Sequence, residues 1–551
     1  MSFLQLVRRE MHGSLRKLAV MAAIGGVSSA AILAAINTGA QAADKNQLPG
    51  IGTIMLFVVS IVLFAQTQIF VTTTISGEIE AIIHRMRLRL MDQVRRSELL
   101  SIERIGRSRI IATITRDTAV LTQASNTLCY SIQAPVVLFF VAIYVAYLSL
   151  SAFIISAVIV TAAGAIFHFR SRSLAVKRAE AAEEERRLLD CLTDFLDGFK
   201  EVRLNSARSA DLFDDALKVS EAAANIKISA QAATFRQIAS SQIYMYLLLA
   251  AVVFVAPRFT VTLGGAPITK VTTALLFVIG AFFSLVQTIP ILMNANAAAD
   301  RMGELEEALN ATVSTRTIDA GLVAKRFNKL EMRKIRFHYA DRFSEKAFQI
   351  GPIDFTLQSG ELVFITGGNG SGKSTFMRVL AGLYAPSSGE LILDGMQVTS
   401  DMRDYYRALI ATVFTDYHVF RRLYGISDPD PIEIGRLLTE FRLADKTGVS
   451  HGEFRTLDLS DGQRKRLALI VSLLEKRPLL LLDEWTADQD PEFRRKFYHE
   501  LVPGLVRAGA TVVAITHDDR YLDELHIAAR RIRFDEGRIV EERWMGAVEA
   551  E

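Results

Sequence analysis

Cysteine is nearly missing from this chain: Cys129 and Cys191 are the two in 551 residues, too few and too scattered for a disulfide framework or a cysteine-built zinc site. A charge excess is missing too. The 63 basic and 60 acidic residues almost cancel, to a net charge of +3, which gives no field of the kind that gathers nucleic acid. The third absence is local. Residues 18–38, 51–75, 130–150, 151–168, 237–256 and 271–293 hold no Asp, Glu, Lys or Arg. A helix of about 20 apolar residues, rising ~1.5 Å per residue, spans a ~30 Å hydrocarbon core. Six such runs in the first 300 residues exclude an ordinary soluble domain and predict six membrane spans. The third and fourth nearly touch, with a tight turn expected near Ser149-Leu150-Ser151.

Arg8, Arg9, Arg16 and Lys17 ahead of the first run, and Ala40-Gln41-Ala42 after it, copy the layout of a secretory signal. The run is longer than the apolar core of such a signal and a second span follows directly, so the first helix is expected to be retained. Basic residues set the orientation. The stretch 76–129 carries nine arginines from Arg85 to Arg116, and 169–236 is similarly rich, whereas the connections on the other side hold Lys45, Arg258 and Lys270. Both termini and both long connections are therefore expected in the cytoplasm. Those connections are rich in helix formers, as in Leu174–Leu189, and read as spans extended beyond the membrane, with turning points near 106–117 and 194–209 that meet a soluble domain. Gln66, Gln68, Ser240, Ser241, Gln242, Tyr244, Tyr246, Ser284, Gln287 and Asn294 give spans 2, 5 and 6 polar faces; lining of a path and hydrogen bonding between helices both fit them. The absence of charge within the spans argues against a dedicated ion route.

Beyond residue 330 short apolar strands alternate with helical patterns, as in α/β domains. The strand 361–365 runs into Gly367-Gly368-Asn369-Gly370-Ser371-Gly372-Lys373-Ser374, which fits GxxxxGK[ST] between a strand and a helix. Backbone N–H groups of such a loop cradle phosphate, the lysine reaches the β/γ-phosphates and the hydroxyl can ligate Mg²⁺. Further on, Leu479–Leu482 followed by Asp483-Glu484 reads as a buried strand delivering two carboxylates at its end, where open α/β sheets bind ligands. Asp483 is expected to hold the Mg²⁺ shell and Glu484 to orient or deprotonate the attacking water.

Between these motifs lies Leu459-Ser460-Asp461-Gly462-Gln463, which resembles the signature of ATP-binding cassette (ABC) proteins. The resemblance implies that Ser460, Gly462 and Gln463 close over ATP held by the partner's P-loop, and that Gly367 through Ser374, with Thr375, bind the nucleotide. Tyr339 matches the aromatic that stacks on adenine, a position a core aromatic on a first strand fits as well. Ala487-Asp488-Gln489-Asp490 resembles the loop at the dimer seam. His517, 33 positions after Glu484 at the end of another apolar strand, matches the histidine that senses the γ-phosphate, so Lys373, Glu484 and His517 form the expected catalytic set. One position departs: where a glutamine is usual, the chain reads Val413-Phe414-Thr415-Asp416, and Thr415, Asp416 or a water could serve there. The segments 483–495 and 459–466 are similar to those of bacterial exporters of cyclic peptides and peptide siderophores, the pyoverdine- and syringomycin-type group.

That resemblance implies a multidomain protein: an all-α, six-helix transmembrane domain of exporter type (1–305), a linker (306–329) and an α/β P-loop nucleotide-binding domain (330–551). It further implies a homodimer in the bacterial inner membrane that uses ATP and Mg²⁺ to move a cyclic peptide or siderophore by alternating access, with no nucleic-acid partner. A flippase for lipid or hydrophobic drug would share every residue of the ATP site.

Overall fold

The computed structural model describes residues 3–10, 15–44, 46–131, 133–255, 268–311, 326–339, 348–426 and 429–546. Two compact units emerge: Met1–Gln93 with Arg107–Ala308, and Val94–Gly106 with Leu309–Glu551.

The first unit is helical. The expected spans lie in the helices Leu15–Asp44, Ile51–Arg96, Gln133–Leu148, Leu150–Asp197, Ser206–Phe254 and Ile268–Asn310. Among the described residues five helical segments are long and apolar enough to cross a membrane; Gln133–Leu148, 16 residues, is apolar but shorter, where the sequence predicted a run from 130 to 150. Four helices run 43 to 49 residues, so each is roughly 65–75 Å long at ~1.5 Å per residue, about twice the hydrocarbon core. Along Ile51–Arg96, Met55, Val58, Val59 and Val62 are exposed, a surface that suits lipid and would be costly in water. Between the third and fourth spans the break is a single residue: Ser149 is extended (φ −160°) and its hydroxyl accepts the Ala152 N–H at 3.3 Å, capping the next helix. At the expected second turning point the chain folds into a short helix, Phe199–Leu204, between Gly198 and Asn205, and Asn205 caps the helix that follows. Ser240 and Ser241 bond back to carbonyls of their own helix, while Gln237 reaches across to the Phe167 carbonyl at 3.1 Å. Asp117, buried, pairs with Arg301 at 2.5 Å.

The second unit is α/β. One sheet is antiparallel: β1 (Lys329–His338) lies between β2 (Gln349–Gln358) and β4 (Ser388–Leu393). The other has six strands. Its parallel part comprises β3 (Leu362–Gly367), β5 (Ile410–Val413), β6 (Leu479–Asp483), β7 (Thr511–Ile515) and β8 (Ala529–Asp535), in spatial order β8-β3-β7-β6-β5, with β9 (Arg538–Met545) antiparallel at the β8 edge. β6 and β7 are buried along their whole length, as continuous Leu and Val runs in a parallel sheet require. The segment Val94–Gly106 belongs to this unit although it lies between helices of the first. Its short helix Leu99–Ile105 packs Leu99 and Leu100 on the β1–β4 core, Glu98 accepts from Arg403 at 3.1 Å and Arg407 at 2.6 Å, and Glu103 accepts from Tyr384 at 2.8 Å. The chain thus meets the α/β unit earlier than 106–117, the expected place.

Candidate nucleotide site

Strand register builds the site. In the parallel sheet Ile515 pairs with both Ile365 and Asp483, so the carboxyl ends of β3, β6 and β7 come level, and the residues just past them, Gly367–Lys373, Glu484 and His517, share one edge. A cavity of ≈ 400 Å³ opens there, lined by Phe348, Asn369, Gly370, Ser371, Gly372, Lys373, Ser374, Thr375 and Glu484.

The loop after β3 is shaped by its glycines. Gly367 (φ +143°) and Gly372 (φ +99°) adopt left-handed backbone; a Cβ on Gly367 would overlap the Phe534 carbonyl, and one on Gly372 would come within 2.8 Å of Ile350. Lys373 begins the next helix (Lys373–Leu380), and its buried ammonium turns back to donate to the carbonyls of Gly367 at 2.9 Å and Gly368 at 2.8 Å. Burial lowers its pKa, and Glu484 and Asp483 partly offset that. A cation closing the loop from inside, with N–H groups at a helix start, suits a polyanion.

Asp483 is 1 % exposed; the Ser374 hydroxyl donates to Oδ1 at 3.3 Å and Oδ2 has no hydrogen-bond partner among the described residues. Burial pushes its carboxyl up to about 6. A buried carboxylate with an idle oxygen beside a serine hydroxyl fits a hard divalent cation, which takes oxygen ligands and would restore the charged form. Glu484 is a non-glycine residue in left-handed conformation (φ +47°), and its Oε1 lies 3.1 Å from His517 Nε2. A non-glycine residue in this region is strained, and such backbone outliers cluster at active sites, ligand clamps and switch regions.

Tyr339 does not line the cavity. Its hydroxyl lies 3.2 Å from the Thr375 hydroxyl and its ring packs edge-on against Phe337 and Tyr384; the aromatic at the cavity is Phe348, which no motif marked. Ser460, Gly462 and Gln463 also lie outside this cavity. They start the helix Asp461–Leu474 with a reciprocal cap, the Gln463 N–H donating to the Ser460 hydroxyl at 3.4 Å and the Ser460 N–H to Gln463 Oε1 at 3.1 Å. Where the glutamine is absent, Asp416 pairs with Arg378 at 3.5 Å, and Arg378 donates to Tyr384 at 3.1 Å. Tyr384, kept protonated by burial, donates in turn to Glu103. A polar chain thus joins the strand-end site to the 94–106 segment within the α/β unit, and sequence gave no sign of it because its members lie far apart in the chain.

The ABC transporter family matches residues 350–487. ATP-binding protein SyrD of Pseudomonas syringae pv. syringae is 34% identical over 485 residues, covering 83% of this chain and 82% of its own. Putrescine transport ATP-binding protein PotG of Escherichia coli K12 is 31% identical over 223 residues, 38% of this chain and 56% of its own. Among solved structures, a bacterial Atm1-family ABC exporter with ATP bound aligns with a TM-score of 0.76 at 18% identity, over 97% of this chain and 95% of that one, which establishes the exporter fold. With a P-loop, a carboxylate pair and a histidine on one sheet edge, and a SyrD likeness running well beyond the cassette, the chain belongs to the ABC transporter family, as a multi-pass exporter-type member whose cassette hydrolyses ATP.

Proposed function

We propose that this protein exports a cyclic peptide or peptide siderophore across the bacterial inner membrane, working as a homodimer with both termini in the cytoplasm. The observation that carries the substrate reading is the reach of the SyrD likeness: 83% of this chain against 38% for PotG. The shared length must include much of the helical half, where a cargo is handled. The resemblance of segments 459–466 and 483–495 to exporters of cyclic peptides and siderophores points the same way.

Within each cassette Lys373 and the N–H groups of Gly368–Ser374 bind the phosphates, Glu484 orients and deprotonates the attacking water, and His517 holds Glu484 and reads the γ-phosphate. Ser374 and Asp483 would hold Mg²⁺, which would neutralise phosphate charge. Ser460, Gly462 and Gln463 serve the partner's ATP, in keeping with their place outside their own chain's cavity. Two ATP molecules close the cassettes, and hydrolysis lets them part, shifting the helical halves between inward- and outward-open states.

The test is ATP hydrolysis by the purified protein in lipid, wild type against Glu484→Gln, with cyclic peptides, lipids and hydrophobic drugs. Stimulation by a peptide, lost in the variant, is the expected result. Stimulation by lipid or drug alone would replace the substrate reading with a flippase, and unchanged hydrolysis in the variant would remove Glu484 from its role.

A further inference from the structure

The signature helix sends a buried cation to the backbone of Glu484, the residue that carries the hydrolytic carboxylate of its own chain. Lys465, two residues after Gln463, has a side chain only 3% exposed, and its ammonium donates to the Glu484 carbonyl at 2.8 Å and to Asp488 Oδ2 at 2.7 Å. Burying an ammonium costs several kcal/mol unless it is paired and hydrogen-bonded, and an apolar side chain would fill the same space without that cost. Packing therefore does not explain the charge; the groups it binds do.

Those groups belong to the turn that carries Glu484. Glu484 sits at φ +47°, a conformation that is strained for a non-glycine residue and persists only where its surroundings fix it. Its N–H donates to the Ile515 carbonyl at 3.2 Å, and its carbonyl accepts from the Ala487 N–H at 3.3 Å and from Lys465. The link is reciprocal: the Trp485 indole, stacked on Phe497 with centroids 4.7 Å apart, donates to the Lys465 carbonyl at 3.0 Å. Gly462 closes the contact, since a Cβ there would press on the Asp488 carbonyl at 2.5 Å.

We propose that Lys465 is a positioning residue for ATP hydrolysis: through its bond to the Glu484 carbonyl it holds the left-handed backbone that aims the Glu484 carboxylate, and it ties that aim to the helix bearing Ser460 and Gln463. This rests on Glu484 being the hydrolytic carboxylate. In the dimer the signature helix of one chain serves the partner's ATP, so Lys465 joins the two nucleotide sites.

The experiment uses the full chain in lipid and steady-state hydrolysis of Mg-ATP. Lys465→Met keeps the apolar stem and removes the donors; kcat is expected to fall ~10- to 100-fold, as a displaced catalytic group requires, with KM for ATP within about twofold. Lys465→Arg, which keeps charge and donors, is expected to restore most of the rate. Combined with Glu484→Gln, Lys465→Met is expected to cost little more, because both act through one group. An unchanged kcat, a defect confined to KM, or a Lys465→Met defect that multiplies in full onto Glu484→Gln would each overturn the proposal. Should the Met variant fail to accumulate, Lys465→Gln, isosteric in part and neutral, carries the same comparison. Wild-type hydrolysis by Glu484→Gln alone would instead show that the assignment of Glu484 has failed.

Discussion

Asp483 is built for a partner that neutralises it. Its pKa, pushed up to about 6 by burial, stands above the ordinary carboxyl value of 3.8, so the folded state binds its proton more tightly than the unfolded chain does. Its contribution to stability is complete below pH ~4 and is lost as pH rises through ~6, a loss on the order of 2–3 kcal/mol for the metal- and nucleotide-free protein. Thermal unfolding in detergent without Mg-ATP should therefore show a midpoint that falls between about pH 4 and 6 and levels off above that. Asp483→Asn should flatten that slope, and Mg-ATP should restore the wild-type midpoint at pH 7. A slope unchanged in Asp483→Asn would mean that another group titrates. In the helical unit Asp117 is buried beside a half-exposed Arg301. Arg301→Ala leaves that carboxyl without its cation and is expected to cost about 2 kcal/mol, read as a lower unfolding midpoint. Site residues were legible unevenly. Lys373, Ser374, Asp483, Glu484 and His517 were readable because a strand followed by a fixed motif puts a side chain at a sheet edge. Phe348 was not: it precedes β2, and what brings it to the P-loop is the pairing of β2 with β1, which has no local signature.

At the scale of elements, uncharged runs foretold the long helices because membrane and helix impose the same demand, and the helices continue past the apolar runs where the sequence turns to Arg, Glu and Ala. The place where the chain meets the α/β unit was not legible. The break falls at Glu98, extended at φ −71° and ψ 145°, and ends at Gly106, φ +88°. What fixes it are Arg403 and Arg407, 305 and 309 positions away. Glu98→Ala removes the acceptor for both guanidinium groups and is expected to weaken the hold on Leu99–Ile105 by roughly 1–2 kcal/mol. Hydrogen exchange across residues 94–106 should then quicken about tenfold or more, with ATP binding at the P-loop unchanged. Unaltered exchange would show that Leu99 and Leu100 hold the segment by packing alone.

For the whole molecule, the chain couples a cassette that hydrolyses ATP to helices long enough to reach well beyond a membrane. Its signature residues lie outside its own nucleotide cavity, as the proposed homodimer with composite sites requires. The proposed dimer makes one prediction for mixed populations: if each carboxylate acts on its own chain's ATP and both sites must cycle, a dimer with one Glu484→Gln chain transports at well under half the wild-type rate. The decisive measurement is ATP-driven accumulation of a labelled cyclic lipopeptide or peptide siderophore in inside-out vesicles carrying the wild-type protein or Glu484→Gln. The expected result is uptake that needs Mg-ATP, saturates with peptide and disappears in the variant. Movement of lipid without any peptide uptake, while the wild-type protein still hydrolyses ATP, would contradict peptide export.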